Sequence, residues 1–335
     1  MRGVKKTNWW GVASFIVIML FFPLIINGSY YVTQGTFAGI YTIAAIGLGL
    51  LMGYAGLISL GQAAFYGVGA YTTAILTTSF GFSPWLGLIF SILVSALLAL
   101  IMGYTMAKLS GYYLAMATLA LGMIVNVIFV EWKSVTQGAQ GLYGIPNPEL
   151  FGFQITQGVP YYYLVWGIAT LVIIVSMNIV HSRVGRALRS IHDSETAASS
   201  MGVETGKYKM QIFIFSAILA GIAGWLFAHM NYSISPSSFT FDTSILFLAM
   251  VVLGGATSIW GAVFGTILIT AISVTVHELG QSFSFITTDF EHVLYGFILM
   301  MVVIFLPRGL FPSFVSFLKN FISSNKKSNS KRIVS

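Results

Sequence analysis

Residues 85–107 read WLGLIFSILVSALLALIMGYTMA, 23 positions without an Asp, Glu, Lys or Arg and with apolar side chains on every face of a helix. Such a run is a membrane-spanning helix, because about 20 apolar residues cross the hydrocarbon core of a bilayer while a helix on a soluble core keeps one polar side. A strand of a membrane barrel would instead alternate apolar and polar positions in segments of about ten. The rest of the chain has the same character: over 335 residues it is 57% hydrophobic and 7% charged, where soluble domains carry about 25% charged residues. An ordinary soluble enzyme is thereby excluded. So are a disordered chain, a collagen and a disulfide scaffold, because the apolar fraction is high, the 35 glycines have no period and cysteine is absent. The fold class is all-α, a polytopic membrane protein.

Working outward from that run, stretches free of charge predict ten spans, near 9–26, 31–52, 60–79, 85–107, 112–130, 161–180, 210–230, 243–254, 262–276 and 292–306. Together they form a transmembrane domain over 1–307, with a basic tail over 308–335. Fifteen of the sixteen basic residues fall into four segments: Arg2, Lys5 and Lys6; Lys108; Arg183, Arg186, Arg189, Lys207 and Lys209; and Arg308, Lys319, Lys326, Lys327, Lys331 and Arg332. Beside them stand Asp193, Glu195 and Glu204. The opposite side holds Lys133 with Glu131, Glu149, Asp242, Glu278, Asp289 and Glu291. Lys and Arg collect on the cytoplasmic side, so both termini are expected inside, and an even number of crossings agrees. Membrane orientation therefore accounts for the net charge of +7, and no nucleic-acid partner is expected. The first span resembles a signal peptide in its basic start, but its length and the lack of a small-residue cleavage site predict that it is retained.

No Asp, Glu, Lys or Arg lies in the interior of any span, whereas a proton-driven carrier normally needs an intramembrane ionisable group. A sodium site built from carbonyls and hydroxyls stays open as an alternative. The five histidines form no H-E-x-x-H, and His277-Glu278 and Glu291-His292 are expected in an external loop and at a span start. Neither a serine nucleophile elbow nor a phosphate-cradling P-loop is written in the chain. It is not expected to be an enzyme, to bind a metal or cofactor, or to hydrolyse ATP alone.

Two spans are interrupted. Between 53 and 62 the chain reads GYAGLISLGQ, and from 254 to 261 GGATSIWG. Broken helices leave backbone groups that protein, water or substrate must meet, so they are tolerated where they are buried or line a cavity. Gly53, Tyr54, Gly56, Ser59, Gly61 and Gln62 in the first break, and Gly254, Gly255 and Ser258 in the second, are expected to line a translocation path. The shared G-x-x-S pattern hints at an internal duplication, and a helix start at a break offers N–H groups to a carboxylate. Close packing is the competing use of the same small residues, since Gly49/Gly53 and Gly261/Gly265 are G-x-x-x-G pairs.

The long cytoplasmic connection, 181–209, carries Arg183, Arg186 and Arg189 and then DSETAASSMG over 193–202. Asp193 is expected to cap a two-turn helix that Gly202 ends, with Glu195 in its first turn and Ala197, Ala198 and Met201 on one face. So thin an apolar face suits a groove on another protein.

At this point the residues carry a resemblance. Gly53-Tyr54-Ala55-Gly56, Ser59 to Phe65, Arg183 to Arg189, Glu195 to Gly202, Ser235-Pro236 and Val251 to Gly255 resemble the permease subunit of ABC-type branched-chain amino acid importers, closer to its LivM than its LivH form. The resemblance implies an importer of two permease chains, the second a LivH-type paralogue, with two ATP-binding subunits and an extracytoplasmic substrate-binding protein, in a bacterial-type inner membrane. It implies that ATP is bound by the partner ATPase, and that Arg183, Arg186, Arg189, Glu195, Ala197, Ala198 and Gly202 couple that ATPase to the spans. Where the family often has T-G-G-x-x-G-L, this chain has Thr136-Gln137-Gly138-Ala139-Gln140-Gly141-Leu142. Urea and short amides are alternative substrates of the same permease type.

Overall fold

The computed structural model describes residues 9–25, 28–106, 109, 111–150 and 152–282, with 296, 297, 300, 301, 309–311 and 313. Most of the tenth expected span and of the tail, the bases at 2, 5, 6, 108 and 308, Asp289 and Glu291-His292 lie outside the described residues. The helices are α1 (Trp9–Ile25), α2 (Ser29–Ala55), α3 (Gln62–Thr78), α4 (Pro84–Met106), α5 (Tyr112–Glu131), α6 (Lys133–Thr136), α7 (Val159–His181), α8 (Arg183–Asp193), α9 (Glu195–Ser200), α10 (Thr205–Asn231), α11 (Phe241–Gly254) and α12 (Ile259–Ser282). Six of these, α2, α4, α5, α7, α10 and α12, are long and apolar enough to cross a membrane; α1 and α11 are shorter apolar helices. The chain is thus an all-helical polytopic membrane protein, with six such spans among the described residues rather than the full set of ten.

Burial sorts the helices into a centre and a rim. In α2 and α10, 78% of the spanning window is buried, against 28% in α4 and 33% in α5. Lipid is as apolar as leucine, so close approach rather than hydrophobicity has to draw such helices together. The sequence supplies it where α3 meets α10: a Cβ on Gly69 would sit 2.3 Å from the Gly221 carbonyl oxygen, so only glycine lets these backbones touch. Trp225, fully buried, anchors α10 to the start of α4 by donating to the Pro84 carbonyl at 2.8 Å.

At the end where α2 begins and α10 stops, short ladders close the bundle. Strand β1 (Leu142–Tyr143) pairs antiparallel with β4 (Ser233–Ile234), and β2 (Glu149–Leu150) with β3 (Phe153–Gln154). These two-residue strands are additions to the all-helical expectation. Buried His229 fastens the same region, with Nε2 2.9 Å from Thr73 Oγ1 and Nδ1 2.6 Å from the Pro146 carbonyl. His277 and Glu278, expected in a loop, belong to α12, and the Glu278 carboxylate accepts from the Tyr31 hydroxyl at 2.6 Å. The uncharged run continues into a polar helical end there, which a search for uncharged stretches cuts short.

Candidate functional site

Both expected breaks are present, and they meet. Helix α2 ends at Ala55 with Gly56 in the left-handed region (φ 68°) and the Leu57 N–H bonded to the Leu51 carbonyl at 3.1 Å, the closure that glycine makes at helix ends. Helix α11 ends at Gly254, with Gly255 at φ 108°, and α12 starts at Ile259. A Cβ on Gly53 would lie 1.8 Å from the Ala256 carbonyl oxygen, and one on Gly254 1.8 Å from that of Gly261. Tyr54, the next residue of α2, is 8% exposed. Gly53, Tyr54, Gly254, Gly255 and Ser258 therefore form one neighbourhood in which the glycines permit backbone contact.

Ser59, Gly61 and Gln62 face elsewhere. The Leu60 N–H donates to Thr118 Oγ1 at 2.9 Å, the Gly61 N–H to Ser59 Oγ at 3.5 Å and the Ala63 N–H to Ser244 Oγ at 3.0 Å. Gln62, 1% exposed, donates to the Ala44 carbonyl at 3.1 Å, and its Oε1 accepts from Ser216 Oγ at 3.3 Å. The N–H groups of Leu60, Gly61 and Ala63 at the start of α3 are thus taken by hydroxyls from α5 and α11 and by a neighbouring serine. The breaks also differ in build. Helices α2 and α3 diverge after a six-residue connection, whereas α11 and α12 turn within four residues and pack along each other. The G-x-x-S likeness does not extend to matching geometry.

The connection between α7 and α10 carries two helices rather than one. Helix α8 is capped by Ser182, whose Oγ accepts from the Val184 N–H at 3.1 Å. Gly185, Leu188 and Ile191 make its buried stripe, and Arg183, Arg186 and Arg189 are exposed, both sets recurring every three residues. Asp193 is the last residue of α8, not the cap of the next helix. That cap is Ser194, whose Oγ accepts from the Ala197 N–H at 3.3 Å. Gly202 ends α9 as expected, at φ 82° with the Val203 N–H on the Ala198 carbonyl at 3.1 Å.

The expected small-residue face is divided. Ala198 is 4% exposed and packs inward, while Met201 is 85% exposed and Ala197 is exposed beside it, one turn away. Glu195 also turns inward, where its carboxylate accepts from the ammonium of Lys209 on α10; that ammonium's side chain is 5% exposed and the carboxylate's 41%. At the end of α8, His192 lies against the first break: a Cβ on Gly56 would be 2.9 Å from His192 Nδ1. Ser194, His192 and Lys209 stand outside the residues expected to couple from the sequence. Ser194 had a signal, since Ser with Glu in the first turn is a cap pattern; the other two contacts are tertiary.

The family model described as branched-chain amino acid transport system, permease component, matches residues 30–303. The high-affinity branched-chain amino acid transport system permease protein LivM of Salmonella typhimurium is 32% identical over 321 residues, covering 89% of this chain and 73% of that protein. LivM of Escherichia coli K12 is 30% identical over 324 residues, covering 90% and 74%. LivH of Salmonella typhimurium is 23% identical over 305 residues, covering 84% and 95%. No solved structure matches the chain.

Proposed function

The chain belongs to the family of permease components of branched-chain amino acid transport systems, and from that premise we propose that it forms half of the translocation path of an ATP-driven importer whose motor docks on α8 and α9. It is a transport subunit and not an enzyme. The observation that carries the docking reading is the position of α9, tied inward to the central helix α10 by the Glu195–Lys209 pair while Met201 points away from the bundle. A force on Met201 and Ala197 would pass through that ion pair into α10, and through His192 into the first break.

The side assignment follows from charge. Arg183, Arg186, Arg189, Lys207 and Lys209 share the α8 end, while Glu131, Glu149, Asp242 and Glu278 occupy the far end with only Lys133 among the described bases. The α8 end is then cytoplasmic and, by the same rule, so are both termini, with ten crossings in all. The assembly would comprise this chain, a second permease chain, two ATP-binding subunits that bind the nucleotide, and an extracytoplasmic binding protein, in an inner membrane. The segment 181–209 is its coupling element, and the residues of the breaks form the cytoplasmic closure of the path.

Uptake of labelled leucine by membrane vesicles containing the assembly tests this reading, with unlabelled leucine, isoleucine, valine and urea as competitors. We expect accumulation that requires ATP and is reduced by the three branched amino acids. Uptake driven by a sodium gradient without nucleotide, or competed only by urea, would contradict the reading.

A further inference from the structure

The far end of the bundle holds a cleft that none of the break residues touches. Its larger chamber, about 350 Å³, has Phe37, Tyr41 and Phe227 as an apolar wall and Asn231, Ser235 and Ser238 among its polar groups. A smaller chamber of about 170 Å³ lies beside it, reached by Gln157 and Tyr161, and Phe37 and Asn231 line both. Among the described residues, neither chamber is lined by an Asp, Glu, Lys, Arg or His. Behind the wall, the Tyr66 ring lies 5.3 Å from that of Phe227 and 5.4 Å from Phe247, which is itself 5.8 Å from Tyr41. Tyr66 is 1% exposed and its hydroxyl has no hydrogen-bond partner among the described residues. Buried hydroxyls are nearly always paired, so an unpaired one next to a cleft calls for a function.

We infer that this cleft is the first seat of the substrate in the chain, and that it accepts a neutral amino acid with an apolar side chain. The side chain lies on Phe37, Tyr41 and Phe227. The carboxylate takes hydrogen bonds from the Asn231 amide and the serine hydroxyls, and the ammonium donates to the Asn231 oxygen and faces an aromatic ring. A net charge, as on lysine or glutamate, would lose water and find no counter-charge among the described lining residues, so the seat discriminates by desolvation. The Tyr66 hydroxyl is the next polar contact inward once the aromatic wall moves. With the α3 start sealed by Thr118 and Ser244 and this cleft open, the described conformation receives substrate from the far side. This direction and the choice of an amino acid as occupant rest on the importer reading; the cleft and its preference for an uncharged side chain do not.

The absence of cysteine makes the test direct, since Tyr143→Cys places a single thiol of this chain at the cleft, on a residue given no part in holding the substrate. In the intact assembly, the rate of labelling by a membrane-impermeant maleimide is measured as leucine, lysine or glutamate is added. Exposed Ser83, on the same end, supplies the control variant Ser83→Cys. Leucine at ten times its dissociation constant should slow labelling of the Tyr143→Cys protein by about tenfold. Lysine, glutamate and the Ser83→Cys protein should show no protection. A second variant, Asn231→Leu with Tyr143→Cys, should lose the protection. Labelling unaffected by leucine, or protected equally by lysine, would overturn the inference. ATP-dependent uptake is read on vesicles holding the unsubstituted assembly: protection without such uptake contradicts the importer reading and leaves the seat standing.

Discussion

Replacing Glu195 by Gln should destabilise the protein more than replacing its partner Lys209 by Met, and replacing both should recover most of the loss. The order follows from burial. The Lys209 side chain is 5% exposed and that of Glu195 41% exposed, so Glu195→Gln strands an ammonium away from water while Lys209→Met leaves a carboxylate that water reaches. Breaking a fully buried pair costs about 3–5 kcal/mol and an exposed one about 0–1 kcal/mol. A pair with one partner open to solvent falls between them, at about 1–3 kcal/mol for Glu195→Gln and about 1 kcal/mol or less for Lys209→Met. Methionine is also suited to the site, because Leu57, Leu114 and Phe213 line the same small space as Lys209. Unfolding by denaturant in mixed micelles, taken as a double-mutant cycle, should give a coupling of about 1–2 kcal/mol. In the assembled transporter the single variants should move less leucine per ATP hydrolysed, since α9 would shift without carrying α10. A cycle below about 0.5 kcal/mol, or a Lys209→Met protein less stable than Glu195→Gln, would refute the reasoning.

Gly53→Ala places a methyl 1.8 Å from the Ala256 backbone oxygen, so α2 and the α11–α12 turn must separate; we expect a loss of at least about 1–3 kcal/mol and loss of uptake. Gly167→Ala, in open space on α7, should be neutral or stabilising by up to about 1 kcal/mol in the same assays. Gln137 holds φ 60°, so Gln137→Gly should raise the unfolding midpoint by about 1 kcal/mol equivalent with uptake unchanged, and a lower midpoint would contradict the strain argument. Met201→Glu should weaken ATPase binding in a pull-down at least tenfold while thermal unfolding stays unchanged; Ala198→Asp is the poorer probe, because Ala198 is 4% exposed and the variant would disturb α9 itself.

The apolar helices were readable because the bilayer imposes a length and forbids charge, so stretches such as 85–107 announce themselves. The breaks were readable for a related reason: glycines at 53, 56, 254 and 255 are poor helix material and good contact material, and both properties are used. What meets the broken ends was not legible. Thr118 and Ser244 lie in spans far along the chain, and nothing local says that their hydroxyls cap the start of α3. The Glu195–Lys209 pair is hidden in the same way, fourteen positions apart in sequence. Helix α8 had its signal in the three-residue recurrence of Gly185, Leu188 and Ile191 against the arginines. The arginines also satisfy the orientation rule, which hides that recurrence, and an Asp before Ser-Glu has the look of a helix start although Asp193 ends α8. Gln137 shows the converse: the left-handed backbone there accounts for the glycine of the related pattern and makes Gln137 the strained departure from it. The far-end cleft draws on α2, α10 and the segment after it, parts that only the tertiary fold brings together.

The central claim is that this chain has no motor of its own and is driven through α8 and α9. It is tested most directly by leucine accumulation in proteoliposomes holding either the purified chain alone or the chain with its ATP-binding subunits and partner proteins, each with ATP inside or outside and with a sodium gradient. Accumulation is expected only in the complete assembly, only with ATP on the α8 side, and not with Met201→Glu. Concentrative uptake by the chain alone, under a sodium gradient or any other, would contradict the account.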